Sequence, residues 1–179
     1  MLKLRIYDPK DAENIVSWCK DELTFRRWTS DRYDHFPITA DDINHKYIDC
    51  NGDCPVPGTF FPFTAYDDEF DVVGHLIMRF TDEEKKTLRF GFVIVDDKRR
   101  GTGCGKAMLR LALHEAFDVM NVEKVTIGVF ENNPGAYYCY KSVGFKDNTD
   151  AEPSFLDVFG ERWKCVELEL TADDYSKLA

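Results

Sequence analysis

The segment that most constrains this chain is Arg100-Gly101-Thr102-Gly103-Cys104-Gly105-Lys106. Before it, the apolar run from Leu88 to Val95 reads as a strand. From Lys106 onward Met108, Leu109, Leu111, Ala112, Leu113, Ala116, Phe117 and Met120 recur at helical spacing. Lys106, Arg110, His114 and Asp118 share the opposite face, so His114 is expected in solvent. A glycine-rich joint between a strand and a helix lets the backbone turn sharply. It also leaves the first-turn amides of the helix free to face an anion, and Arg100 and Lys106 add positive charge there.

Spacing separates the phosphate-binding patterns that could claim this joint. A dinucleotide fingerprint starting at Gly101 requires glycine where Lys106 stands, and no early βαβ unit surrounds it. A P-loop ending at Gly105-Lys106 requires glycine in place of Arg100 and Ser or Thr in place of Ala107. The pattern that fits is R/Q-x-x-G-x-G/A, read as Arg100-x-x-Gly103-x-Gly105. It resembles the acetyl-CoA signature of the GNAT superfamily of N-acetyltransferases. A second block, from Asn132 to Phe145, resembles that family's N-x-x-A-x-x-x-Y-x-x-x-G-F pattern, with Asn133, Ala136, Tyr140, Gly144 and Phe145 in register. Tyr137 and Tyr138 of the same short helix are read as core packing.

The resemblance implies acetyl transfer from acetyl-CoA to a primary amine, by direct attack of the neutral amine on the thioester in a ternary complex. The alternative is a GNAT-like module that binds acyl-CoA without transfer. In such families Val93, Ile94 and Val95 would offer backbone groups to the pantetheine arm. Arg100, Gly101, Thr102, Gly103, Cys104, Gly105 and Lys106 would hold the pyrophosphate, with Asn133 bonding farther along the cofactor. Tyr140 falls where the family places the acid for the leaving thiolate. The family's basic carboxylate has no counterpart, because the aligned positions hold Arg89 and Gly128. A primary amine is mostly protonated at neutral pH, so a base is still needed. His75 and Glu131 are the candidates.

Composition narrows the partners. With 23 Lys and Arg against 33 Asp and Glu, the formal net charge is −10, which disfavours nucleic acid and anionic membrane and suits a cationic acceptor. No apolar run approaches membrane-spanning length. Six scattered cysteines and an alternating rather than leader-like N-terminus suggest a cytoplasmic protein with reduced thiols. Cys50 and Cys54 lack the second ligand pair of a zinc site, so no metal is expected.

Residues 1–179 are expected as one domain of α/β (α+β) class, a mixed, mostly antiparallel sheet flanked by helices. Leu2 to Tyr7 reads as a strand, and Asp8-Pro9 opens a helix. Residues 21 to 50 form a second helical region, in which Thr39 and Asp42 make a capping box. Phe60 to Tyr66, Val72 to Phe80 and Leu88 to Val95 read as an antiparallel meander. Lys124 to Phe130 is a strand, Pro134 to Ser142 a helix and Arg162 to Leu170 a final strand whose exposed edge offers homodimer pairing, with a strand starting at Phe145 as a further option. Trp18, Phe25, Trp28, Tyr33, Phe36, Phe60 and Phe61 are aromatic core or the walls of an acceptor pocket.

Overall fold

The computed structural model describes residues 1–178. One sheet runs through the molecule in the order β1-β2-β3-β4-β5-β8-β6, with β7 pairing the other half of β8. Its strands are β1 (Lys3–Ile6), β2 (Phe60–Tyr66), β3 (Val72–Phe80), β4 (Thr87–Val95), β5 (Lys124–Phe130), β6 (Lys146–Asp147), β7 (Ser154–Val158) and β8 (Glu161–Thr171). All pairings are antiparallel except β4 with β5. The meander of β2, β3 and β4 therefore forms as the alternation of its residues predicts. β7 and a C-terminal helix are additions, and β8 is interior. The final strand is thus not the free edge that the sequence suggests, because β6 and β7 cover it.

Helices pack on both faces. On one lie α4 (Cys104–His114), continuing through a wider turn to Val119, and α5 (Pro134–Lys141). Met108, Leu109, Ala112 and Leu113 of α4 are fully buried against β3, β4, β5 and β8. Each such Leu or Met contributes about 1.5–3 kcal/mol through removal from water. His114 stays on the solvent side and hydrogen-bonds Asp118 at 2.6 Å. The C-terminal α6 (Ala172–Ser176) closes this face, with Tyr175 stacked on Phe117.

The opposite face carries α1 (Ala12–Ser17), α2 (Glu22–Thr29) and α3 (Ala40–Asn44), the last running on to Asp49. The Thr39–Asp42 capping box forms as read. Beneath these helices Trp18, Phe25, Trp28, Tyr33, Ile43, Tyr47 and Phe60 make an aromatic core. Phe61 points to the other face and packs on Phe80. Tyr138 is 68% exposed, so its reading as core fails: the short α5 has room for only one fully buried tyrosine, Tyr140. No described helix is long and apolar enough to cross a membrane.

Candidate active site

β4 and β5 are hydrogen-bonded only from Thr87↔Lys124 to Phe90↔Ile127. Beyond that point β5 pairs only with β8, and the facing edge of β4 is released over Gly91 to Val95. Parallel neighbours that part in mid-strand open a wedge lined by unpaired backbone groups, which such groups must fill with a ligand or water. A bulge makes the wedge wider. Across β3, Ile77 faces Gly91 but His75 already faces Ile94, so Phe92 and Val93 together stand opposite the single Leu76 and β4 carries one extra residue. Phe92 sits at φ +48°, unusual for an aromatic residue, and its ring is turned onto Trp28, Tyr33 and Tyr47. Of the three residues expected to face the pantetheine arm, Val93 is unpaired with β3, whereas Ile94 and Val95 face His75 and Gly74.

The glycine segment lies at the mouth of this wedge. Gly101 and Gly103 adopt φ +77° and +89°, which a side chain would resist, and Gly103 is the N-cap of α4. α2, α3, α5 and α6 each start with a side-chain oxygen accepting from a first-turn amide, supplied by Asp21, Thr39, Asn133 and Thr171. α4 has no such cap and no acid in its first turn. The first amide bonded back is that of Ala107, to the Gly103 carbonyl, so those of Cys104, Gly105 and Lys106 are left for an anion. The side chains contribute less than expected. The Arg100 guanidinium donates to the Trp18 carbonyl at 3.2 Å, and the Thr102 hydroxyl donates to the Arg99 carbonyl at 2.7 Å. The Asn133 side chain accepts from the Ala136 amide. An uncapped helix at an open wedge suits a pyrophosphate on a long, thin arm.

Tyr140 approaches the wedge from α5. It is 6% exposed, and burial raises its phenol well above the ordinary value, so it stays protonated. Its hydroxyl makes no hydrogen bond among the described residues, yet it is not among the side-chain oxygens sealed from solvent. Its phenol is thus a protonated donor without a protein partner among the described residues.

The two candidate bases fare differently from this acid. His75 is fully buried; its ring stacks on Tyr47 and shares a 2.8 Å hydrogen bond with that residue's hydroxyl. Burial lowers it to about 3, far too weak a base to take a proton from an ammonium. Glu131 is paired with Lys164 at 3.0 Å on the surface. Neither supplies the carboxylate that the sequence lacked at positions 89 and 128.

A carboxylate reaches that place from another strand. Glu167 of β8 lies opposite Gly128 in the ladder, and both of its oxygens accept from Arg89, at 2.6 and 2.8 Å. Gly128 is what makes room: a Cβ there would sit 2.7 Å from Arg89 Nη2 and 3.1 Å from Glu167 Oε1. Although burial works against its charge, Arg89 is held above its ordinary value by this pair. Sequence reading missed Glu167 because it stands 78 residues from Arg89. The signal that existed was the glycine and arginine at the two aligned positions, which together imply a partner filling the gap. No described group of three His, Cys, Asp or Glu is arranged for a metal, and all six cysteines are unpaired.

Residues 17–145 match the Acetyltransferase (GNAT) family. The spermine/spermidine N(1)-acetyltransferase of Bacillus subtilis (strain 168) is 29% identical over 89 residues, which span 49% of this chain and 55% of that protein. The chain thus matches about half the length of this curated relative. Among solved structures, spermidine N-acetyltransferase from Vibrio cholerae in complex with CoA and spermine superposes with a TM-score of 0.80 at 18% identity, over 98% of each chain. A chimera of the Vibrio cholerae enzyme and hSSAT gives 0.75 at 16% identity, again over 98% of each. At that identity the likeness is one of fold.

Proposed function

This chain belongs to the GNAT acetyltransferase family, and from that premise we propose that it transfers the acetyl group of acetyl-CoA to a small primary amine within a ternary complex. The observation that carries this reading is the uncapped α4 at the mouth of the β4–β5 wedge; Tyr140 of the neighbouring α5, with no hydrogen-bond partner among the described residues, would serve it as the acid. The amides of Cys104, Gly105 and Lys106 would hold the pyrophosphate, and the released edge of β4 at Val93 would receive the pantetheine arm. Lys106 would supply charge from the first turn. The acetyl-enzyme linkage of a two-step transfer is not needed when both substrates meet in the wedge.

In the proposed step the amine nitrogen forms the new C–N bond as the C–S bond breaks, and the sulfur leaves as thiolate. Tyr140 hydrogen-bonds that sulfur as charge develops on it and passes a proton to it as the acceptor's own proton becomes available; burial keeps the phenol protonated and therefore a donor. The acceptor enters as an ammonium and gives up a proton before attack and another after it. One of these returns to Tyr140 and one leaves. Glu167 is the carboxylate at the apex of the wedge, and we assign it to face the ammonium, in place of the family's usual acid on β4 or β5.

The test is thiol release from acetyl-CoA with a panel of primary amines, comparing the unmodified protein with Tyr140→Phe. Because the hydroxyl has no protein partner, the variant should keep its stability within about 0.5 kcal/mol. Its kcat should fall at least about tenfold. Acetyl-CoA binding without thiol release from any amine would instead favour a binding module.

A further inference from the structure

On the face under α2 one cation stands without an anion. Arg79 of β3 stands directly opposite Arg89 in the ladder, on the same face as Ile77, Gly91 and the aromatic core under α2. Like charges set opposite each other repel; Glu167 pairs with Arg89, and Arg79 itself is left without a carboxylate of its own. Both oxygens of Glu167 are already taken by Arg89. Arg79 makes no hydrogen bond and no ion pair with any described residue, although it is partly buried. Burial, and then the charge of Arg89, pushes its guanidinium below the ordinary value. Its nitrogens are not among the polar atoms sealed from solvent.

Two further polar groups lie beneath this face. The indole N–H of Trp28 and the hydroxyl of Tyr33 are buried without a partner, and both rings pack on Phe92, which the β4 bulge turns toward them. A partly buried guanidinium without an anion is costly, and a buried indole N–H can be satisfied only by an acceptor. Trp28 and Tyr33 lie sealed beneath this face, and Arg79 is the group on it that a ligand bringing oxygen acceptors and negative charge would complement.

Building on the transfer reading above, we propose that the acceptor amine carries a carboxylate, which Arg79 binds while Glu167 faces the ammonium. Arg79 and Glu167 would then match the two charges of a free amino acid. The protein's overall acidity does not oppose this, because net charge governs approach while the contacts in the cleft govern the fit. A second ammonium, as in a linear polyamine, would instead meet the unneutralised Arg79.

The experiment compares matched acceptors on the unmodified protein: free amino acids against the amines left by removing their carboxylates, with spermidine as a third class. Each is read as kcat/KM for thiol release from acetyl-CoA. The carboxylated member of each pair should be preferred by at least about tenfold, and Arg79→Met should collapse that preference through KM. Arg79→Lys keeps the charge without the planar fork and should fall between the two. A preference for the decarboxylated amines or spermidine, or an Arg79→Met effect equal for both members of a pair, would overturn the proposal while leaving acetyl transfer standing. Thiol release with none of the amines would overturn both.

Discussion

The two sides of the β4–β5 wedge are built on different principles. On the α4 side the proposed recognition rests on backbone: three first-turn amides, two glycines at positive φ and a helix left without its cap. On the α2 side it rests on side chains that four different elements bring together: Arg79 from β3, Arg89 from β4, Glu167 from β8 and Trp28 from α2. A backbone cradle fits any molecule carrying the same phosphate group, and it is written in a contiguous run of residues. A side-chain constellation fits a particular acceptor, and it can change at one position without altering the fold. The difference explains why the cofactor half keeps a family pattern while the acceptor half departs from it.

The sharpest way to break this contrast is to cap α4. Gly105 is at the second position of the helix, with Cys139 Sγ 3.6 Å and Val95 Cγ1 3.8 Å from where a Cβ would stand, so a side chain fits. Gly105→Asp should stabilise the fold by about 0.5–1 kcal/mol, because a carboxylate suits a helix N-terminus and glycine does not suit a helix. The same carboxylate would stand against the pyrophosphate, and affinity for CoA should fall at least about a hundredfold, as expected for like charges in close contact. A higher midpoint in thermal unfolding together with lost binding in calorimetry would show that α4 is held uncapped for its ligand. Binding that survives the substitution would place the anion elsewhere.

A second effect separates the buried core of the α2 side from the reacting groups above it. His75 has an ordinary value near 6.5 when unfolded and about 3 in the fold. Between those values the unfolded chain binds a proton that the folded protein does not, so stability falls as pH falls below about 6.5. The slope from this one group is at most about 1.4 kcal/mol per pH unit, or about 2 kcal/mol between pH 6.5 and 5. Denaturant titrations at pH 7 and pH 5 should show the loss, and His75→Leu should remove most of it. The pH profile of turnover should lack a limb that vanishes with His75→Leu; finding one would restore His75 as the base.

How much of this was legible follows from the same division. The strands Phe60–Tyr66, Val72–Phe80 and Lys124–Phe130 end where alternation and turn residues end, because one face of each is core. The glycine turn ahead of α4 and the burial of Tyr140 on α5 were legible because each lies in a local pattern. β7 was missed because Ser154–Val158 has exposed residues on both faces at its start and only Val158 buried, so its existence depends on pairing with β8. Glu167 was missed for the same kind of reason. Its alternation with Val166 and Leu168 marks it as the outward residue of a half-buried strand, and only the register against Gly128 turns that outward position into a site. Arg100 was over-read: the motif places it beside the cradle, while the fold spends its guanidinium on the end of α1.

Glu167 gives the finest test, because its two possible roles differ in what they require. If the carboxylate only braces Arg89, Glu167→Gln weakens the fold and leaves turnover alone. If it also faces the ammonium, the neutral amide should lower kcat/KM by about tenfold at a stability cost too small to unfold the protein. Exchanging the partners, Arg89→Glu with Glu167→Arg, separates the roles further. The pair stays intact across the gap at Gly128, and the carboxylate moves to the β4 position where the family usually carries one. Turnover of the exchanged protein should recover to within about threefold of the unmodified chain. A protein equally stable after the exchange but as slow as Glu167→Gln would mean that the acid must come from β8, and that this half of the site has been rebuilt around its new position rather than merely relocated.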